Sequence, residues 1–90
     1  MNEIFLIGKV ISEAEFDFII NSKSKSCAIF NIETLNKQII VIKAYDNIAD
    51  FAYSKLIIGN VIFVYGKLRE NYIEARKINI IQEAWKRYES

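Results

Sequence analysis

Histidine is absent from this 90-residue chain, cysteine occurs once, and glycine only three times, at positions 8, 59 and 66. Each shortage removes a class of chemistry. Without histidine, and with Cys27 alone, neither a Cys/His zinc site nor a Ser-His-Asp triad can be assembled. A single cysteine also excludes a disulfide scaffold, and a lone thiol suits a reducing compartment, so the cytoplasm is the expected location. Three scattered glycines leave no Gly-rich phosphate loop. Charge of one sign is not in excess: 12 basic residues against 11 acidic ones give a net charge of +1. The longest run without a charged residue, Leu56 to Gly66, has 11 residues, below the ~18 that a transmembrane helix needs. Glu3 stands where a signal peptide would carry Lys or Arg, so neither an export signal nor a membrane partner is expected. Carboxylate pairs exist, Glu13 with Glu15 and Glu70 with Glu74, but acidic residues beside turns are ordinarily just solvated. Catalysis, and with it any cofactor, is not expected.

What the chain does have is apolar side chains. Hydrophobic residues make up 52%, 13% are aromatic, and 18 are isoleucine. A chain this short buries only about two-thirds of its unfolded surface, so it forms one domain with one efficient core. The domain is expected over residues 1–81, with 82–90 as a tail or short helix. β-Branched and aromatic residues gather in short blocks, the composition of strands. The first block, Ile4 to Ile11, contains Gly8, which offers a bend, and Phe16 to Ile20 can extend it. Asn21 to Ser26 reads as a polar loop. Ala28, Phe30 and Ile32 alternate with Ile29, Asn31 and Glu33, the period of a half-buried strand. Asn36-Lys37 reads as a tight hairpin turn, since asparagine tolerates a positive φ well, and Gln38 to Tyr45 is its returning strand.

The period then changes. Asp46 can cap a helix in which Ile48, Phe51, Ala52 and Leu56 recur at spacings of three and four, and Gly59 is placed to end it in a left-handed conformation. Val61 to Arg69 resumes the strand pattern, Glu70-Asn71 turns it, and Tyr72 to Ile81 returns. Three strands, one helix and two strands predict an all-β domain: a five-stranded barrel of the oligonucleotide/oligosaccharide-binding (OB) kind, its helix between strands three and four. A ferredoxin-like fold would need a second core helix, and none is apparent.

These segments resemble the bacterial single-stranded DNA-binding protein family. Ile4-Phe5-Leu6-Ile7-Gly8-Lys9-Val10 is similar to that family's opening strand, and Ala14-Glu15-Phe16 to its Pro-Glu-Leu. Ala28-Ile29-Phe30-Asn31-Ile32 resembles its second strand. Ile40 to Gly59 and Val61 to Leu68, with Gly66-Lys67-Leu68, resemble its C-terminal half. The primosomal replication protein N branch fits nearly as well. The likeness spans roughly residues 2–81 and implies an OB-fold that binds single-stranded DNA, with replication proteins as further partners. Two departures stand out. The family's long basic hairpin between strands two and three has shrunk to about Leu35 to Gln38, and its acidic C-terminal tail is replaced by Trp85-Lys86-Arg87-Tyr88-Glu89-Ser90.

Single-stranded nucleic acid is held by a cationic groove along its backbone and by rings that stack on its bases. With Ile40, Ile42 and Ala44 facing the core, Ile39, Val41, Lys43 and Tyr45 face out. With Ile62, Val64, Gly66 and Leu68 inward, Phe63, Tyr65, Lys67 and Arg69 face out. The resemblance places a stacking aromatic at Tyr45 and, approximately, at Tyr72. Lys9, Lys43, Lys67 and Arg69 are the expected phosphate contacts, and Lys23 and Lys25 in the polar loop can reach further phosphates. Phe63 and Tyr65 offer stacking surfaces, but an exposed aromatic strip on a small barrel is at least as often a dimer interface. Residues 1–22 carry a net −3 and residues 23–45 a net +3, so the presumed binding strands lie in the basic part. Phe30 is expected in the core and Cys27 as a small apolar filler, while Trp85 packs on the barrel or a neighbouring subunit or stacks on a base. The expected function is therefore non-catalytic single-stranded DNA binding by a homo-oligomer in replication, repair or recombination. RNA is an open alternative, as is an OB-fold protein–protein module with little nucleic-acid binding.

Overall fold

The computed structural model describes residues 2–19 and 25–83. Six strands and one helix follow in order: β1 (Glu3–Val10), β2 (Glu15–Ile19), β3 (Lys25–Thr34), β4 (Ile39–Tyr45), α1 (Asp46–Lys55), β5 (Val61–Leu68) and β6 (Ile73–Gln82). β1 pairs antiparallel with β5, β5 with β6, and β4 with β3. A short parallel contact, Ile42 to Ile73 and Lys43 to Glu74, joins β4 to β6. Pairing of Gly8, Lys9 and Val10 with Thr34, Glu33 and Ile32 closes the ring. β2 runs along the other end of β3, from Glu15 opposite Ile29 to Ile19 opposite Lys25. β1 and β2 are thus two stretches of one bent barrel strand. The break between them is held where the Ile11 amide donates to the Asn31 carbonyl at 3.0 Å and the Asn31 amide to Ser12 Oγ at 2.9 Å. Counted this way, the domain is a closed five-stranded barrel with one helix between its third and fourth strands.

Gly8 sits where β1 faces two partners, opposite Ile62 on one side and Thr34 on the other. A Cβ there would stand 2.9 Å from Ile32 Cδ1 and 3.0 Å from the Glu33 carbonyl oxygen, so glycine permits the close approach that closes the barrel. The core is filled from β1, β3, β4, β5 and β6, at alternate positions along the last four: Val10, Ala28, Phe30, Ile32, Ile42, Ala44, Ile62, Val64, Ile73 and Ala75. α1 adds Ala49 and Ala52, followed by Leu56 just beyond its end, at the helical spacing of three and four. Fully burying a large aliphatic or aromatic side chain is worth about 1.5–3 kcal/mol. Phe30 is buried as its alternation predicts.

Several local expectations are revised. Asp46 does not cap α1: Tyr45 holds the extended cap position without a side-chain cap bond, and Asp46 is the first helical residue, at φ 56°. The helix ends at Lys55 rather than at Gly59, because Leu56 turns extended and the Asn60 side chain then captures the Ile57 amide at 2.8 Å. Gly59 does take a positive φ, 102°, in the turn that follows, where its own amide donates to the Val10 carbonyl. In the β3–β4 hairpin the positive φ falls on Lys37 (67°) and not on Asn36. The Lys37 amide bonds back to the Thr34 carbonyl and the Thr34 amide to that of Gln38, the geometry of a three-residue loop. Leu68, expected inside, is 48% exposed at the open end of β5. Tyr72 belongs to the β5–β6 turn, and Lys25 begins a strand rather than lying in a loop. Lys23 and the tail from Ala84 onward, Trp85 included, lie outside the described residues. Among those described, no helix is long and apolar enough to cross a membrane.

Candidate nucleic-acid interface

Strand register carries one row of outward side chains around the barrel. Glu15 of β2 is opposite Ile29 of β3, Ile29 opposite Lys43 of β4, Lys43 beside Glu74 of β6, Glu74 opposite Lys67 of β5, and Lys67 opposite Glu3 of β1. Apart from Ile29 the row alternates acid and base. Cross-strand neighbours of opposite charge stabilise a sheet modestly. Here the register sets Lys43 and Lys67 beside acids, while the ion pairs on Glu74 come from Arg69 and Arg76.

The densest part of the row lies where the β5–β6 hairpin reaches β4. The hairpin is tied by the Arg69 amide donating to the Tyr72 carbonyl at 2.8 Å. Arg69 then folds onto Glu74, its Nε and Nη2 both donating to Oε1, at 2.9 and 2.6 Å. Arg76 Nη2 stands 3.8 Å from Oε2 of the same carboxylate. Hydrogen bonding to Arg69, reinforced by the charges of Arg69, Arg76 and Lys67 and opposed by partial burial, holds the Glu74 carboxyl below the usual carboxylate range. Glu74 is therefore an anion set among cations. The Gly66 position makes this arrangement possible: a Cβ there would collide with the Glu74 backbone carbonyl, and β6 bulges at this point.

Beside this carboxylate stand two tyrosines. The Lys43 ammonium lies 4.1 Å from the centre of the Tyr72 ring, within cation–π range. Tyr45, half-buried at the junction of β4 and α1, has its phenol pKa raised, first by burial and then by the neighbouring Cys27, Tyr72 and Glu74. Cys27, opposite Tyr45 across the β3–β4 pair and hydrogen-bonded to it, is buried. A shallow cleft of about 240 Å³ opens next to this cluster, lined by Ile39, Val41, Leu68, Arg69, Tyr72 and Ile73 among others.

The structure thus brings together Lys43, Tyr45, Arg69 and Tyr72, with Lys67 as the cross-strand neighbour of Glu74. It does not bring Lys9 to them. Lys9 lies between Glu33 and Val61, and the β3 position it faces is four residues along from the one that faces Lys43. Lys25 is placed by its backbone alone, opposite Ile19. Phe63 and Tyr65 continue along β5 from Lys67, but they turn toward β1: Phe5 is 5.8 Å from Phe63 and 4.9 Å from Tyr65, centre to centre. The Tyr65 hydroxyl donates to Glu3 Oε1 at 2.8 Å, which raises its pKa. Phe5, Glu74 and Arg76 escaped the sequence reading. Phe5 sits in an unbroken apolar run, where alternation cannot tell inside from outside, and the role of Glu74 depends on cross-strand register.

No family model matches the chain, and no curated protein matches it. Solved structures do. A single-stranded DNA binding protein from Thermus aquaticus superposes with a TM-score of 0.78 at 15% identity, over 99% of this chain and 44% of that one. The second OB-fold domain of replication protein A from Methanococcus maripaludis gives 0.75 at 14% identity, over 91% and 86%. This barrel is an OB-fold. The N-terminal domain of PriB protein from Thermoanaerobacter tencongensis, a dimeric structure, gives 0.66 at 22% identity, over 91% and 98%. The chain spans less than half of the Thermus protein, and at these identities the likeness extends to the OB-fold alone.

Proposed function

We propose that this OB-fold binds single-stranded DNA without catalysis, across the outer face of β4, β6 and the end of β5. The observation that carries this reading is the convergence of two tyrosine rings, Tyr45 and Tyr72, with Lys43, Arg69 and Lys67 at one edge of the barrel. Base–aromatic stacking contributes about 1–3 kcal/mol per base and tolerates any sequence, and the cations meet the backbone phosphates. The Thermus aquaticus protein is named for binding single-stranded DNA, which agrees with this chemistry. Replication, repair or recombination in the cytoplasm is the proposed setting.

Anisotropy of labelled dT oligonucleotides at low and moderate salt, with duplex DNA as competitor, tests the proposal. Saturable binding that prefers the single strand and weakens in Tyr45→Ala is the expected result. No binding at low salt overturns it. A matched RNA oligonucleotide separates the two nucleic acids, since only RNA offers the 2′-hydroxyl.

A second reading concerns self-association. Phe5 (65% exposed), Ile7 (50%) and Leu35 (93%) stand with Phe63 around a cleft of about 420 Å³. Among the described residues, Glu3–Ile7 pair with β5 only. This strip suits a second copy of the chain, and a Phe5→Ser variant that sediments as a monomer where the parent is a dimer would support it.

A further inference from the structure

Tyr45 is the last residue of β4, and its surroundings hold it from two sides. Across the β3–β4 pair it faces Cys27. Cys27 belongs to the outward row of β3 with Ile29, Asn31 and Glu33, yet those three keep part of their surface in solvent while Cys27 is 3% exposed. A side chain on the outer face is buried only where another lies over it, and the Tyr45 phenol and the Cys27 thiol are in hydrogen-bond contact. Along the chain, Asp46 follows as the first residue of α1 at φ 56°, a left-handed backbone that few residues with a Cβ adopt and that aspartate tolerates. This kink ends the β4 ladder at Tyr45 and turns the chain into the helix. Ser26, beside Cys27 near the start of β3, donates its hydroxyl to the Asp46 carbonyl at 3.4 Å. Two successive residues of β3 thus grip two successive residues at the β4–α1 junction.

We propose that Cys27 and Asp46 are positioning residues that fix the Tyr45 ring on the outer face, Cys27 by seating the phenol and Asp46 by setting the backbone that carries it. The consequence for binding rests on the single-strand reading above. Neither residue needs to touch the nucleic acid. A ring already held where a base will stack loses less side-chain freedom on binding than one that must first be ordered, so the seat strengthens stacking without adding a contact. For Cys27 the contribution passes through Tyr45 alone and involves no charge. This separates it from Lys43, Lys67 and Arg69, whose part is electrostatic.

Binding of labelled dT to Cys27→Ala, alone and combined with Tyr45→Ala, tests the seat. Cys27→Ala is expected to weaken binding by up to about tenfold, the equivalent of one net hydrogen bond, with the slope against salt unchanged. In the Tyr45→Ala background the same substitution should have no further effect. Cys27→Ser keeps a hydrogen-bonding side chain of similar size and should recover most of the loss. Asp46→Gly and Asp46→Ala remove the same charge, but only glycine takes a positive φ freely, so the glycine variant should bind more tightly than the alanine one. Tyrosine ring signals in NMR spectra of the DNA-free protein, assigned by their loss in Tyr45→Ala, read the seat directly. Those of Tyr45 should stand apart from free tyrosine in the parent and in Cys27→Ser, and move toward it in Cys27→Ala. Ring signals unmoved in Cys27→Ala, or a loss of affinity that persists in full in the Tyr45→Ala background, overturns the proposal. If the parent binds no dT, the proposed function falls and the ring signals decide the seat by themselves: movement in Cys27→Ala upholds it, and constancy overturns it.

Discussion

The Lys43 ammonium covers one face of the Tyr72 ring, 4.1 Å from its centre, while the backbone of Lys43 pairs with Glu74, the carboxylate that Arg69 grips. Ring, cation and carboxylate are therefore coupled, and a base arriving at Tyr72 must use the opposite face or displace Lys43. Removing Tyr72 by Tyr72→Ala is expected to weaken dT binding by about 1–3 kcal/mol. Lys43→Ala should cost less, and the double variant less than the sum, because the two contacts share a partner. Anisotropy titrations of the four proteins close the cycle, and strict additivity would contradict the coupling.

Glu74 is expected to limit affinity for single strands. It engages Arg69 and neighbours Lys67 and Lys43, the cations proposed to meet phosphates. Glu74→Gln should tighten single-strand binding at low salt and steepen its salt dependence. Single strands lose log affinity with log salt at a slope of about −0.7 per phosphate neutralised, so the parent should show a slope of only about −2. The same substitution removes a partly exposed ion pair, so folding stability should fall by no more than about 1 kcal/mol in urea.

The lowered pKa of Glu74 has a defined pH consequence. A carboxyl whose folded pKa lies below its unfolded value stabilises the fold above the unfolded pKa, and that contribution is lost as pH falls through the folded pKa. Acid sensitivity on this account should appear below the ordinary glutamate range and not near neutrality. Carbon-detected NMR titration should place the Glu74 carboxyl lower than a solvated glutamate. In Arg69→Ala the midpoint should move back up, since the Arg69 hydrogen bonds are the largest cause of the shift.

Gly66 joins the fold to the site. Adding a methyl group drives it into the Glu74 carbonyl where β6 bulges, so Gly66→Ala is expected to destabilise the domain by about 1–3 kcal/mol, the usual range for overpacking. The urea midpoint checks the stability. An accompanying loss of the Arg69–Glu74 pairing, seen as a raised Glu74 midpoint, checks the link to the site.

Much of this architecture follows from local pattern. The alternation in Ile40, Ile42 and Ala44 and in Ile62 and Val64 fixed which side chains fill the barrel, and the same period put Lys43, Tyr45, Phe63, Tyr65 and Lys67 outside. The three-and-four spacing of Ile48, Phe51, Ala52 and Leu56 marks the helix. Period fails where it carries no contrast. Ile4 to Ile7 are all apolar, so only pairing with β5 puts Phe5 on the outer face beside Tyr65. The helix ends depart from the local pattern at both termini because side-chain hydrogen bonding by Asn60 and the extended backbone at Tyr45 and Leu56 override the local propensities of Gly59 and Asp46.

Composition and local periodicity by themselves determined a small barrel with one helix, its core, and the set of outward rings and cations. Which of those meet was decided only by the tertiary structure. Lys43, the Lys67–Glu74 hairpin pair and Glu3 lie far apart in the chain, and they become neighbours through the register of β4 on β6 and β5 on β1. Register between distant strands is set by barrel closure and by two glycine contacts, at Gly8 and Gly66, and no local period encodes it.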